Sequence, residues 1–195
     1  MVKYKLLFLS TLLFWGLTGN AQAKYEREFR IKKSEFPQKA LELVNHKIED
    51  ARKIRYYKEI DSATITFETK FKKDKLHYSV EFNSEGQLED IEIQISKVDI
   101  PSEVWSSITE HLAGYCKKFK IRRLQQQYPI KNGLPTEQLI KDAFQNLILP
   151  YINYELIVVC KRDSGREEFE YLFNAEGTFV SKRKSLPANY DHILY

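Results

Sequence analysis

Three stretches of this sequence alternate strictly between apolar and polar residues. Residues 64–71, 76–82 and 90–95 carry an aromatic or aliphatic side chain, or once a Thr, at every second position. A period of two places successive side chains on opposite sides of a β-strand, so these stretches predict strands with one buried face and one polar face. We predict further strands near 53–60, 119–127, 154–161, 167–173 and 178–184.

Between these groups of strands, apolar residues recur at helical spacing and predict three helices. A first helix is expected from Ser34, a candidate N-cap, to about residue 50, and a second begins at Ser102. A third is expected over about 136–149, where Pro150 stops it. The sequence therefore predicts an α+β fold in which helices pack on one face of antiparallel sheets.

An internal similarity suggests how these elements are grouped. Residues 78–86 align with residues 169–177, and both stretches end in Phe-Asn-x-Glu-Gly. We interpret the chain as tandem helix-plus-antiparallel-sheet modules, with a first repeat at 34–96 and a second at 102–186 that contains the inserted helix near 136–149. Residues 187–195 form a C-terminal tail. A module of about 60 residues has a marginal core, so the two copies are expected to pack together.

The N-terminus predicts export. A short basic stretch with Lys3 and Lys5 precedes an apolar run from Leu6 to Leu17, and a small-x-small site ends at Ala23. The apolar run is shorter than the roughly 20 residues that span a bilayer. We expect residues 1–23 to be a cleaved signal peptide, no transmembrane segment after cleavage, and a periplasmic or secreted product.

The remaining charge argues against one class of partner. Loss of Lys3 and Lys5 lowers the formal net charge from +4 to +2. This near balance disfavours nucleic-acid binding, which requires a basic face. Two basic clusters, at 70–75 and 117–123, are either a surface for an acidic partner or a solvated face interleaved with carboxylates.

Cys116 and Cys160 are the only two cysteines. An oxidising compartment permits a disulfide between them, and both positions are expected to face the core. The alternative is a pair of buried free thiols that pack as small hydrophobic side chains. The sequence alone does not decide between the two.

The pattern around these elements resembles a known family. The residues that carry the resemblance are the signal peptide, Phe36-Pro37 at the opening of a helix, the strand 53–58, and the strand 78–82 closed by a Gly turn and followed by 88–91. Here the chain resembles the PepSY-like, or β-lactamase-inhibitor-like (BLIP-like), proteins of the bacterial periplasm. The resemblance implies tandem helix-plus-sheet modules and a role in peptidase inhibition or in binding envelope proteins. It carries no functional residue over.

No pattern of catalytic, metal-binding or cofactor-binding residues stands out. No Gly-x-Ser-x-Gly motif occurs, and the four His residues are far apart in sequence. Arg55, Tyr56 and Tyr57 are the candidate binding surface, since Arg and Tyr are enriched at interfaces. We therefore expect a non-catalytic binding or inhibitory module whose partner is an envelope protein or peptide. A carrier of a small apolar ligand is the alternative, and an enzyme of unrecognised type is a third hypothesis.

Overall fold

Ten strands and three α-helices make up the part of the chain that the structure describes. The computed structural model describes residues 23–24, 26–61 and 64–185. The strands are β1 (Ala23–Lys24), β2 (Glu26–Ile31), β3 (Arg52–Asp61), β4 (Thr64–Lys73), β5 (Leu76–Asn83), β6 (Leu88–Gln94), β7 (Lys118–Pro129), β8 (Asn153–Arg162), β9 (Gly165–Asn174) and β10 (Phe179–Ser185). The helices are α1 (Gln38–Val44), α2 (Ser102–Tyr115) and α3 (Thr136–Phe144).

All ten strands belong to one sheet, in the order β1-β10-β9-β8-β7-β6-β5-β4-β3-β2. Every neighbouring pair is antiparallel except β1 and β10, which are parallel. The pairing of β6 with β7 joins the strands after α1 to those after α2. The predicted, mostly antiparallel α+β fold is confirmed, whereas the division into two tandem modules stays a prediction.

The sheet is strongly curved. Lys24 pairs with Ser185 on β10, and Glu26, two residues later, pairs with Asp61 on β3. One short N-terminal segment therefore contacts strands from both ends of the sheet. Because neighbouring strands are about 4.8 Å apart, a flat sheet would separate β3 from β10 by roughly 34 Å. The two ends can approach only if the sheet bends around one of its faces.

The three helices cover the other, apolar face. The apolar positions of the alternating strands are buried there. Four of these side chains are 0% exposed: Phe82, Ile93, Tyr154 and Phe173. Phe144 of α3 stacks on Tyr78 with ring centroids 5.2 Å apart. Burying aromatic side chains of this size supplies most of the free energy that favours folding.

Three details of the helices differ from expectation. Ser34 is not the N-cap of α1, because it lies in a short 3-10 helix whose Glu35 side chain accepts a hydrogen bond from the Lys32 amide at 2.8 Å. Pro37 takes extended backbone angles and precedes the first helical residue. Helix α1 also ends at Val44 rather than near residue 50, and α3 ends at Phe144 because Asn146 has a φ of 51°.

Cys116 and Cys160 are joined by a disulfide with a Cα–Cα distance of 5.3 Å. Cys116 directly follows α2, and Cys160 lies near the end of β8. Both are buried, at 4% and 0% exposure. The bond therefore ties the C-terminal end of a helix to the sheet beneath it.

Two hairpin turns share one hydrogen-bond pattern. In each turn an Asn side chain, Asn83 or Asn174, accepts hydrogen bonds from the amides two and four residues later. Gly86 and Gly177 follow at the same position, with φ of +72° and +78°. Each lies against the first turn of a helix: Gly86 against α1 and Gly177 against α2. The aligned stretches thus adopt the same local structure, although the tandem repeat itself stays a prediction.

Replacing Gly177 by Ala is expected to lower the free energy of unfolding by about 3 kcal/mol in chemical denaturation. A Cβ atom there would lie 2.7 Å from the Val104 carbonyl oxygen, so the turn and α2 would have to separate. About 1 kcal/mol comes from the left-handed backbone and the rest from the overlap. Gly133→Ala is the matched control, because its φ is +86° and nothing lies within 4 Å. Equal losses for the two variants would contradict the close contact.

The signal-peptide prediction lies almost entirely outside the described residues, since only Ala23 of residues 1–23 is described. The predicted tail at 187–195 lies wholly outside them. None of the helices in the described ranges has the length and apolar character that a membrane-spanning helix needs.

Candidate functional site

The face of the sheet that points away from the helices is acidic. Its carboxylates occupy the polar positions of the alternating strands, one or two on each of six strands. We call this surface the carboxylate face and define it by Glu59, Glu68, Glu81, Asp90, Glu92, Glu155 and Glu170. Strand register places several of them side by side: Glu68 is opposite Glu81, and Glu81 is opposite Asp90.

The curvature of the sheet brings these groups together on its concave side. Arg183 on β10 is electrostatically influenced by Asp61 on β3, although these strands are far apart in the sheet order. Arg123 on β7 likewise interacts with Glu68 on β4 and Glu170 on β9. Interactions across so many strands occur only if the side chains converge in front of the sheet.

Neutral side chains hold three of the carboxylates in place. Ser79 donates to Glu68, and the Gln125 amide donates to Glu92. The Gln127 amide donates to Asp90 at 2.9 Å. Glu68 and Glu92 are only 4% and 5% exposed, so these hydrogen bonds fix acidic groups that have little contact with solvent.

Among the described residues, fewer cationic side chains than carboxylates take part in the carboxylate face. Lys70 pairs with Glu68 at 2.7 Å, and Arg123 lies 3.7 Å from Glu155. Arg183 donates from its Nε to Glu170 at 3.0 Å. Glu81, Asp90 and Glu92 form the centre of the face. Arg123 also attracts Glu92, but among the described residues no cation pairs with Glu81 or Asp90. The centre of the face therefore has an excess of negative charge.

Burial and mutual repulsion raise the pKa values of the central groups. Burial, followed by repulsion from Glu155, raises the pKa of Asp90 to about 7. Burial and Glu68 raise the pKa of Glu59 to about 8. The pKa values of Glu81 and Glu92 are also well above their ordinary range, for the same two reasons. A carboxyl group in such a place holds its proton unless a cation arrives.

Two oxygen atoms at this centre accept no hydrogen bond from the described residues. They are Oδ1 of Asp90 and Oε1 of Gln125, and both are buried. Buried acceptors of this kind are uncommon in proteins and favour a donor from outside. Ammonium and guanidinium groups consist only of donors, so they match such a surface in both charge and hydrogen bonding.

Two sets of carboxylates also bring ligand atoms within 4.8 Å of one another: Glu28 with Glu59 and Glu68, and Glu81 with Asp90 and Glu92. Carboxylate oxygens are the donors that Ca²⁺ and Mg²⁺ prefer. Carboxylates at this spacing are also common without an ion, and we assign no metal to either set. Local sequence patterns do not indicate these groups, because each set combines residues of two or three strands.

The candidate surface of Arg55, Tyr56 and Tyr57 is divided between the two faces of the sheet. Tyr56 does not belong to it: this side chain is 8% exposed and lies against Phe36 in the core, with ring centroids 4.9 Å apart. Arg55 and Tyr57 point to the opposite side, because alternate residues of β3 face opposite ways. Lys70 of the carboxylate face lies 4.8 Å from the centre of the Tyr57 ring.

The first basic cluster is not a free cationic surface. Lys70 pairs with both Glu28 and Glu68, and Lys73 pairs with Asp50. Although burial alone would lower the pKa of Lys70, the two glutamates raise it. Two of its four lysines, Lys70 and Lys73, therefore compensate carboxylates of the same chain.

Comparison with known proteins supports the fold. No family model matches the chain, and no curated protein is detectably similar to it in sequence. The PepSY-like part of the predicted resemblance therefore stays a prediction.

Solved structures from Bacteroides species share the architecture. A candidate periplasmic protein from Bacteroides eggerthii has a TM-score of 0.53 at 10% identity, over 79% of this chain and 92% of that one. A DUF2874 family protein from Bacteroides uniformis has a TM-score of 0.52 at 10% identity, over 76% and 89%. A BLIP-like protein from Bacteroides fragilis is less similar, at 0.48 and 11% identity over 80% and 92%. The first two likenesses, at 10% identity, show a shared fold.

Proposed function

We propose that this chain is a non-catalytic binding module of the bacterial periplasm that recognises cationic side chains of an envelope protein or peptide. The observation that carries the proposal is the carboxylate face, a concave surface whose buried acidic groups outnumber their cationic partners. Binding Lys or Arg side chains there would supply both the missing positive charge and the missing hydrogen-bond donors.

The physical argument concerns the cost of buried carboxylates. Several ionised carboxylates close together in a partly desolvated site repel one another and are poorly solvated. In the absence of a cation, some of these carboxylates therefore keep their protons. A partner that brings its own cations replaces these protons. Charge-assisted hydrogen bonds of this type are stronger than neutral ones and give specificity for the sign of the partner's charge.

A periplasmic location is supported by the predicted signal peptide and by the description of the Bacteroides eggerthii protein as a candidate periplasmic protein. The absence of catalysis is part of the proposal. It rests on the arrangement of the face, whose acidic side chains are held by Ser79, Gln125 and Gln127 rather than by a His that could relay a proton.

The alternative function, transport of a small apolar ligand, finds little support in the space beneath the helices. The apolar cavity between α1, α3 and the sheet has a volume of about 10 Å³ and is lined by residues such as Val80, Ile91 and Phe144. This volume suits roughly one water molecule. An apolar ligand would need the helices of the described core to move apart.

A titration with a short synthetic peptide rich in Lys and Arg tests the proposal by calorimetry. We expect saturable binding that weakens strongly between roughly 0.05 M and 0.5 M salt, because the contacts are ionic. The double variant Asp90→Asn, Glu92→Gln is expected to bind at least about ten-fold more weakly, a loss of about 1.4 kcal/mol. Its amide side chains keep the size of the originals and remove their charge.

The matched control is Glu110→Gln, which removes one charge from an exposed position of α2. It is expected to bind the peptide as the unaltered protein does. A peptide rich in Asp and Glu should not bind. Equal affinity of the double variant and the unaltered protein for the basic peptide, or no binding at all, would contradict the proposed function.

A further inference from the structure

Two cations lie unpaired beside the C-terminal end of α2, on the helix side of the sheet. Arg162 ends β8, and Lys182 lies on β10. Among the described residues neither forms an ion pair, whereas the neighbouring Lys184 binds Glu167 at 2.6 Å and Arg183 binds Glu170. Both side chains are half-buried, so they are not simply solvated surface charges.

Aromatic rings hold these two cations in place. The Lys182 ammonium lies 4.9 Å from the centre of the Tyr115 ring and 5.2 Å from that of Phe169. The Arg162 guanidinium lies 4.9 Å from the same Phe169 ring. Contacts with the faces of aromatic rings favour a cation but leave its hydrogen-bond donors unused. Two like charges are therefore positioned around one ring, the Phe169 ring.

An open cavity of about 690 Å³ lies in front of them. The residues that matter in its lining are Tyr115, Cys116, Lys117, Arg162, Asp163 and Lys182. Lys117 and Asp163 pair with each other at its rim and so cancel their charges. Arg162 and Lys182 remain. Glu167 attracts both of them but is itself paired with Lys184, so the cavity keeps a positive charge. The disulfide at Cys116 fixes the helix end that forms one wall.

The arrangement costs free energy in the absence of an anion. Burial, followed by repulsion from Arg162, lowers the pKa of Lys182. The Arg162 guanidinium also contacts the buried hydroxyl of Tyr171, a neutral group that leaves its positive charge uncompensated. The C-terminal end of α2 carries partial negative charge, which opposes an anion, but two full positive charges exceed its half charge.

We propose that this cavity binds an oxyanion, a carboxylate or phosphate group, with Arg162 and Lys182 as its donors and the Tyr115 ring as one wall. The planar guanidinium matches two oxygens of such a group, and the ammonium supplies a second positive charge. The exposed Tyr115 ring, 53% accessible, offers an apolar surface for the body of the ligand. The site lies on the opposite side of the sheet from the carboxylate face and is independent of it.

Titration of the isotope-labelled protein with inorganic phosphate, and separately with benzoate, tests this proposal by NMR. We expect saturable shifts of the amide signals of residues 113–117 and 162–164 with at least one of the two probes. Saturation with phosphate alone identifies a phosphate site, and saturation with benzoate alone identifies a carboxylate site. Either result supports an oxyanion site.

Arg162→Gln and Lys182→Gln are each expected to weaken binding by about ten-fold or more, and their thermal unfolding shows whether they remain folded. Lys131→Gln, in an exposed loop, removes one positive charge elsewhere and is expected to bind as the unaltered protein does. If neither probe produces saturable shifts, the proposal is overturned. It is also overturned if the shifts are the same in both cavity variants and in the control.

Discussion

Replacing Cys116 and Cys160 together by Ala is expected to lower the free energy of unfolding by about 3 kcal/mol. The two residues are 44 positions apart, so their disulfide closes a long loop and restricts the unfolded chain. Removing it also frees the end of α2 from β8. Chemical denaturation of the oxidised double variant and the oxidised unaltered protein measures the difference.

The unaltered protein after reduction is the matched control for this variant. It keeps both sulfur atoms and loses only the bond, so it separates the effect of the cross-link from the small loss of packing at two buried positions. We expect it to unfold at nearly the denaturant concentration of the double variant. Identical unfolding curves before and after reduction would show that the bond contributes nothing.

Asp90→Asn is expected to stabilise the protein at pH 8 and to have little effect at pH 4. The pKa of Asp90 is about 7 in the folded chain, against an ordinary value of 3.8. Between these values the folded protein holds a proton that the unfolded chain has lost. Raising the pH therefore favours unfolding, and stability falls from about pH 4 to about pH 8. Asn cannot ionise, so this loss does not occur in the variant.

The expected gain at pH 8 is on the order of 2 kcal/mol, since each pKa unit corresponds to about 1.4 kcal/mol and partial solvent contact reduces the full value. Chemical denaturation at a series of pH values measures it. Glu110→Gln, at an exposed position of α2, should follow the unaltered protein throughout. A variant that loses stability at pH 8, or stability of the unaltered protein that rises from pH 5 to pH 8, would contradict the raised pKa.

The strands could be predicted from the sequence because their signal is local. Alternation in 64–71, 76–82 and 90–95 directly reflects which side chains face the helices, and the structure buries Phe71, Tyr78 and Ile93 as expected. The end of α3 was misplaced because the left-handed conformation at Asn146 depends on packing around it. The edge strand β2 has no clear alternation and was not predicted.

The carboxylate face could not be predicted in the same way. Glu and Asp at the polar positions of a strand ordinarily indicate solvent, and nothing local distinguishes Glu81 or Glu92 from an exposed residue. Their burial depends on strand register and on the curvature of the whole sheet. Tyr56 shows the same limit: adjacent tyrosines must face opposite ways, but only the pairing of β3 with β4 shows which one enters the core.

We infer that the carboxylates of the concave face share protons until cationic side chains replace them. Carbon-13 NMR of the side-chain carboxyl groups, recorded over a pH series with and without the basic peptide, tests it most directly. We expect a titration midpoint of about 7 for Asp90 in the free protein, and a clear decrease of that midpoint when the peptide is bound. A titration midpoint near 4 for Asp90 in the free protein, unchanged by the peptide, would contradict this inference.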